Sequence, residues 1–98
     1  MKINVGSLRR IIFEEIQNDA VFLRKRADTA LSKAKQYSAL SYHQLAFDTF
    51  NRAKTYYARA RQSFLSEKND DMAAKMFDAQ VYCEVRSSMH GSALKRES

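Results

Sequence analysis

Small apolar residues recur every seven positions in two stretches of the chain. A spacing of seven keeps a residue on one face of an α-helix, so each stretch forms a narrow seam of small side chains. The two seams are equidistant from Leu40, and pairing them antiparallel predicts an αα-hairpin with its turn at residues 39–41. The seam residues are Ala20, Ala27 and Ala34 in the first stretch and Ala46, Ala53 and Ala60 in the second.

Each helix of this hairpin has a wider apolar face around its seam. The core face of the first helix is expected to contain Ala20, Leu23, Ala27, Ala30, Leu31, Ala34 and Tyr37. The inner face of the second helix, predicted at about residues 42–67, contains Tyr42, Leu45, Ala46, Thr49, Phe50, Ala53, Tyr56, Tyr57, Ala60 and Phe64. A weaker stripe on that helix, formed by Phe47, Ala58 and Leu65, indicates two neighbours. Ser41 followed by Gln44 predicts a capping box at its start.

A polar stretch at residues 68–71 predicts a loop, and Asn69 or Asp70 is expected to cap the helix that follows. That helix is predicted at about residues 71–89, burying Met72, Ala73, Met76, Phe77, Ala79, Val81 and Cys83. Gly91 is expected to end it in the left-handed conformation. We therefore predict one helical domain over residues 1–90 and a polar, flexible tail over residues 91–98.

The N-terminal part of the chain predicts a short amphipathic helix that begins after Ser7 and breaks at Asn18 and Asp19. An unbroken helix over residues 8–39 is the alternative. Its apolar residues either pack on the hairpin or dock on a partner protein. These candidate partner-binding residues are Ile11, Ile12, Phe13 and Ile16.

The composition favours helix almost throughout, because Pro is absent and Gly occurs twice in 98 residues. The expected fold class is all-α: an up-and-down bundle of three long helices plus the short N-terminal helix, built on the hairpin. No apolar run is long enough for a membrane span. The single Cys83 cannot form an internal disulfide and fits a reducing cytosol.

The candidate catalytic groups do not combine into a recognisable site. His43 and His90 are the only histidines, and neither has a carboxylate three or four residues away. Cys83 and His90 share a helix face, but seven residues separate them by about 10.5 Å along the axis, which is too far to chelate one ion. We therefore expect no catalytic residue, no cofactor and no metal site.

The positive charge is concentrated on the hairpin. Residues 20–68 carry ten basic and three acidic side chains, which accounts for the net charge of +6 of the whole chain. Such a field attracts phosphate, although charges that only solubilise the helices are the plainer interpretation. Tyrosines nearby either stack on bases or cover the edge of the core. The candidate nucleic-acid-binding residues are Arg26, Lys33, Arg52 and Arg59.

Two resemblances accompany these patterns. Tyr57, Phe64, Ala73 and Phe77 have the relative spacing of the aromatic and small positions in a tetratricopeptide hairpin. Other positions depart from that motif, so we interpret the spacing as ordinary helix packing. Residues 1–3 and 8–16 resemble the start of many small proteins encoded by tailed bacteriophages, which implies an accessory or virion protein without implying an activity.

The sequence thus leaves three functional hypotheses. The first is a non-enzymatic interaction protein that docks a helical surface on another protein, as a phage accessory or host-directed protein would. The second is a small basic nucleic-acid-binding protein that uses the hairpin of residues 20–68. The third is a self-assembling structural protein in which residues 8–67 extend into a coiled-coil homodimer. In each case we expect a cytoplasmic protein without a membrane partner, in the host cytoplasm or the virion if it is phage-encoded.

Overall fold

Three α-helices, joined by short turns, form the part of the chain that the computed structural model describes, residues 19–97. Helix α1 spans Ala20–Ala39, α2 spans His43–Ser66 and α3 spans Asp70–Glu97. Helix α2 is the central one and packs against both α1 and α3. The all-α class and the three long helices are confirmed for these residues. The predicted N-terminal helix, with its four candidate partner-binding residues, lies outside the described residues.

Asp19 sets the start of α1. Its backbone is extended, with φ −67° and ψ 132°, and its carboxylate accepts a hydrogen bond of 2.7 Å from the amide of Val21. An extended residue cannot continue a helix, so the alternative of an unbroken helix over residues 8–39 is wrong. The start of α1 after Asp19 agrees with the predicted break, because a carboxylate at the N-cap satisfies a free amide of the first turn.

The turn of the hairpin lies where the seams predict it, but the capping box is wrong. Ser41 has φ 59°, in the left-handed region, and it closes the end of α1. A residue in that conformation cannot also be the extended N-cap of the next helix. The N-cap of α2 is Tyr42, which makes no side-chain cap, and the Gln44 amide donates to the Asp48 carboxylate at 3.1 Å. Tyr42 and Leu45 were expected on the inner face of this helix, but both are exposed, so that part of the prediction is wrong.

The alanine seam is fully buried between α1 and α2, as predicted. None of its six alanines is more than 1% exposed. A second row of larger buried residues lies beside it on α2: Phe50, Tyr57 and Phe64, again spaced by seven. The Tyr57 hydroxyl donates to the Asp28 carboxylate of α1 at 2.5 Å. Burial, with Asp28 beside it, raises the pKa of Tyr57 and keeps it a proton donor.

Helix α3 begins after Asn69, which caps it as predicted: the Asn69 side chain accepts a hydrogen bond of 3.3 Å from the amide of Met72. Its buried face follows a line of residues seven apart, namely Met76, Cys83 and His90. Phe77 and Val81 were predicted to be buried, and they are 45% and 40% exposed. Phe77 follows Met76 by one residue and therefore points about 100° away from α2.

Gly91 does not end the last helix. It has no positive φ, and α3 continues through it to Glu97, so the predicted helix end at this position is wrong. A Cβ atom on Gly91 would lie 3.2 Å from Cε2 of Phe47 on α2. The glycine therefore serves a close approach of α3 to α2, and tertiary packing overrides its local preference for a helix end.

Candidate functional site

A groove on the outer face of the hairpin brings the predicted basic residues together. It consists of two adjoining cavities of about 550 and 480 Å³, which share Phe22, Arg26 and Tyr56 in their walls. Arg59 lines the first cavity, and Lys33 and Arg52 line the second. All four candidate nucleic-acid-binding residues thus surround one surface, which we call the basic groove.

The rims of the basic groove arise from the helical repeat. On α1, Phe22, Arg26, Thr29 and Lys33 follow one another at intervals of three or four residues, and on α2 the same intervals join Thr49, Arg52, Tyr56 and Arg59. Such intervals place residues on one side of a helix. Because the alanine seam holds α1 and α2 close together, the two rows face each other across the groove.

The electrostatics of the basic groove are one-sided. Five cations line it, Lys25, Arg26, Lys33, Arg52 and Arg59, and within the described part of the chain no carboxylate lines either cavity. Asp48 lies beside Arg52 and Arg59 in a shallow cavity at the edge. Arg24, which faces elsewhere, is 3.9 Å from Asp28. Repulsion among the five cations favours an anionic occupant.

Aromatic rings on both rims, Phe22 on α1 and Tyr56 on α2, form a wall that the two cavities share. The guanidinium of Arg26 lies 5.4 Å from the ring centroid of Phe22 and 6.0 Å from that of Tyr56. Both rings are half-buried and therefore keep a surface open to the groove. A guanidinium held over a ring presents a flat cationic surface, which suits stacking as well as ionic contact.

The remaining cations of the hairpin lie on other surfaces. Lys54 and Arg61 line another cavity, which also includes Gln80 of α3 and adjoins the basic groove at Arg59. The Arg61 guanidinium is 4.8 Å from the ring centroid of Phe77, and the Lys35 ammonium is 5.6 Å from that of Tyr82.

Sequence reasoning missed Phe22 and Lys25 as members of the basic groove. Neither residue was among the four candidates. The signal was available, because Phe22 begins the row that continues through Arg26 and Lys33. Of the four tyrosines near basic residues, Tyr56 lies in the groove, Tyr57 lies in the core, Tyr37 is half-buried and Tyr42 is exposed.

The two histidines form a polar cluster where all three helices meet. Nδ1 of His43 and Nδ1 of His90 are 3.0 Å apart, and Nε2 of His90 is 2.9 Å from the hydroxyl of Ser38. The His90 ring stacks on Phe50 with a centroid distance of 5.8 Å and is 8% exposed. The sequence did not predict this pairing, because it requires the register of α3 against α2.

Acidification should weaken this cluster. Burial, then the charges of His43 and Arg86, lower the pKa of His90 below its ordinary value of 6.5. The unfolded chain therefore binds a proton at His90 more tightly than the folded chain does. The free energy of unfolding has its full value above pH 6.5 and decreases as the pH falls below it. We expect the melting temperature to decrease between about pH 7 and pH 5, a range that lies above most carboxylate pKa values.

The matched variant for this prediction is His90→Gln, which keeps a hydrogen-bonding side chain and removes the titrating ring. Its melting temperature should be lower than that of the wild type at pH 7 but should change less between the two pH values. Parallel pH curves for the two proteins would contradict the assignment to His90.

Comparison with known proteins gave no match: no protein family, no curated protein and no solved structure is significantly similar to the chain. The resemblance to phage-encoded proteins therefore stays a prediction. Nowhere in residues 19–97 do three or more His, Cys, Asp or Glu side chains group closely enough to hold a metal ion. None of the three helices has the length and apolar character needed to cross a membrane.

Proposed function

We propose that this protein binds single-stranded nucleic acid, without enzymatic activity, through the basic groove. One observation carries the proposal: five cations and two aromatic rings line one groove between α1 and α2, with no carboxylate among the described residues of the lining. This is the arrangement by which proteins hold a single strand without reading its sequence.

The two parts of the groove suit the two parts of a nucleotide. Rim arginines and lysines contact phosphate and release its counterions, which supplies affinity that depends strongly on salt. Phe22 and Tyr56 offer ring surfaces on which bases can stack, at about 1–3 kcal/mol per base in known cases. Arg26, between the two rings, can contribute both to stacking and to phosphate contact.

A single strand fits this surface better than a duplex does. The rings lie inside a concave groove, so a base reaches them only when it is splayed away from its neighbours. Bases of a duplex remain stacked within the helix, whereas those of a single strand are free to turn outward. Phosphate contacts carry no sequence information, so we expect little sequence preference.

The test is a binding titration by fluorescence anisotropy with a mixed-sequence oligonucleotide, as a single strand and as a duplex, over a series of salt concentrations. The single strand should bind more tightly than the duplex. Its slope of log K against log salt should be no steeper than about −3.5, the value expected if all five cations contact phosphate. No binding to the single strand at about 50 mM salt, where counterion release is favourable, would contradict the proposal.

Docking on another protein chain is the second candidate function. Its first support was the apolar N-terminal segment with Ile11, Ile12, Phe13 and Ile16, which lies outside the described residues. A specific structural observation now favours it independently: Phe77, Val81, Val85 and Met89 of α3 are large apolar residues that are 40–55% exposed. Self-assembly through residues 8–67 also stays a prediction, although the seam of α1 and α2 is already occupied within the hairpin.

A further inference from the structure

The outward side of α3 carries a straight stripe with small or apolar residues at its centre. Two rows spaced by seven form it: Asp71, Asp78, Val85 and Ser92 in one row, and Ala74, Val81, Ser88 and Lys95 in the other. All eight residues are exposed. Rows at these intervals form the seam of a coiled coil, and two valines, 40% and 54% exposed, lie at the middle of this one.

Charge divides the same stripe into two halves. Its beginning carries Asp71 and Asp78, and its end carries Lys95, while Asp70 and Arg96 lie next to the stripe in the first and last turns of α3. The helix dipole favours acids in the first turn and bases in the last. It does not account for Asp78, which lies beyond the first turn, or for the exposed valines between the two halves.

The stripe is complementary to itself when it is turned end for end about residue 83. Val81 and Val85 are each two residues from that position, and Asp71 and Lys95 are each twelve residues from it. Asp78 and Ser88 are similarly equidistant, so a carboxylate would face a hydroxyl that can donate to it. One apolar pairing, one oppositely charged pairing and one hydrogen-bonding pairing thus share one centre, as an isologous interface requires. The remaining pair is Ala74 with Ser92, which are small enough for close approach.

We propose that the outward face of α3 binds a second copy of this chain in an antiparallel, two-fold arrangement. Val81 of each protomer then packs against Val85 of the partner subunit, and Asp71 lies level with Lys95 of the partner subunit. Phe77 and Met89 flank the stripe and extend the apolar contact. Glu84 lies on the shoulder of the stripe near the centre, where water keeps the cost of its approach to its own copy small.

This interface leaves the basic groove open. The groove uses Arg52, Tyr56 and Arg59 of α2, whereas α3 packs on the side of α2 that carries Phe47 and Asn51, through Gly91 and Ser87 respectively. A dimer would therefore present two grooves. The dimer does not depend on nucleic-acid binding, and either proposal can fail without the other.

Sedimentation velocity over a series of protein concentrations, without nucleic acid, tests the dimer. The wild-type mass should rise from monomer to dimer with concentration. Asp71→Lys and Lys95→Asp should each weaken association about tenfold, because each places like charges together twice in the dimer. An equimolar mixture of these two variants should regain wild-type association, since every charged contact is then between opposite signs.

Asp48→Lys is the matched control, with the same charge change on α2, and it should associate as the wild type does. Val85→Asp should be monomeric, and circular dichroism should show the wild-type fold, because this side chain is exposed. A wild-type protein that stays monomeric at every concentration would overturn the proposal. Failure of the mixture to regain association would overturn it as well, because the antiparallel register demands that rescue.

Discussion

Replacing Ala53 by Leu should lower the free energy of unfolding by about 1–3 kcal/mol. Ala53 is fully buried at the middle of the seam, as is Ala27, its predicted counterpart on α1. Small residues allow two helix axes to approach to about 8 Å, so a longer side chain must push the helices apart or adopt a strained rotamer. Urea unfolding followed by circular dichroism measures the change.

Ala39→Leu is the control for this prediction, because it makes the same substitution at an exposed position of α1. It should leave the free energy of unfolding within about 0.5 kcal/mol of the wild type. Equal stability of Ala53→Leu and the wild type would show that the seam has room for a larger side chain.

The seam, its turn and two of the caps could be predicted because each depends on a local pattern. Six alanines spaced by seven define an interface without reference to any other element. Asp19 and Asn69 satisfy free amides within their own helices, so their neighbours in sequence decide their role. The local pattern was insufficient where one residue had two possible roles, as at Ser41, which ends α1 and so cannot cap α2.

Burial in α3 was harder to predict because it depends on where α2 lies around the helix. Phe77 and Val81 are apolar, and apolar residues are usually assigned to a core. The line of Met76, Cys83 and His90 faces α2 instead, which turns Phe77 and Val81 toward solvent. Gly91 shows the same dependence, because its contact with Phe47 exists only once α3 has docked.

The candidate site was predicted in part. Edge positions on the two helices identified Arg26, Lys33, Arg52 and Arg59, and the structure places all four around one groove. The aromatic wall was not predicted as such, since Phe22 and Tyr56 belong to one surface only when the two helices are paired. The pairing of His43 with His90 likewise depends on the distance between two helices.

The seam and the basic groove are connected through the distance between α1 and α2. Alanines bring the helix axes close together, and the cations on the edges of the two helices then face each other, with no carboxylate of residues 19–97 in the lining between them. This proximity costs stability through repulsion, and a bound polyanion would relieve that cost. The alanines that make the hairpin compact therefore also bring the cations of the basic groove together.

Replacing Arg26, Lys33, Arg52 and Arg59 together by Gln should reduce the affinity for a single-stranded oligonucleotide roughly 100-fold at low salt. The slope of log K against log salt should become shallower by about 3, because each phosphate contact contributes about 0.7.

The control replaces Lys54, Arg61, Lys68 and Lys75 by Gln, which removes the same charge from other surfaces. Its affinity should fall much less. Equal losses in both variants would show that binding follows net charge and not the groove. The melting temperature of the groove variant should equal or exceed that of the wild type, because four mutually repelling charges are removed from one surface.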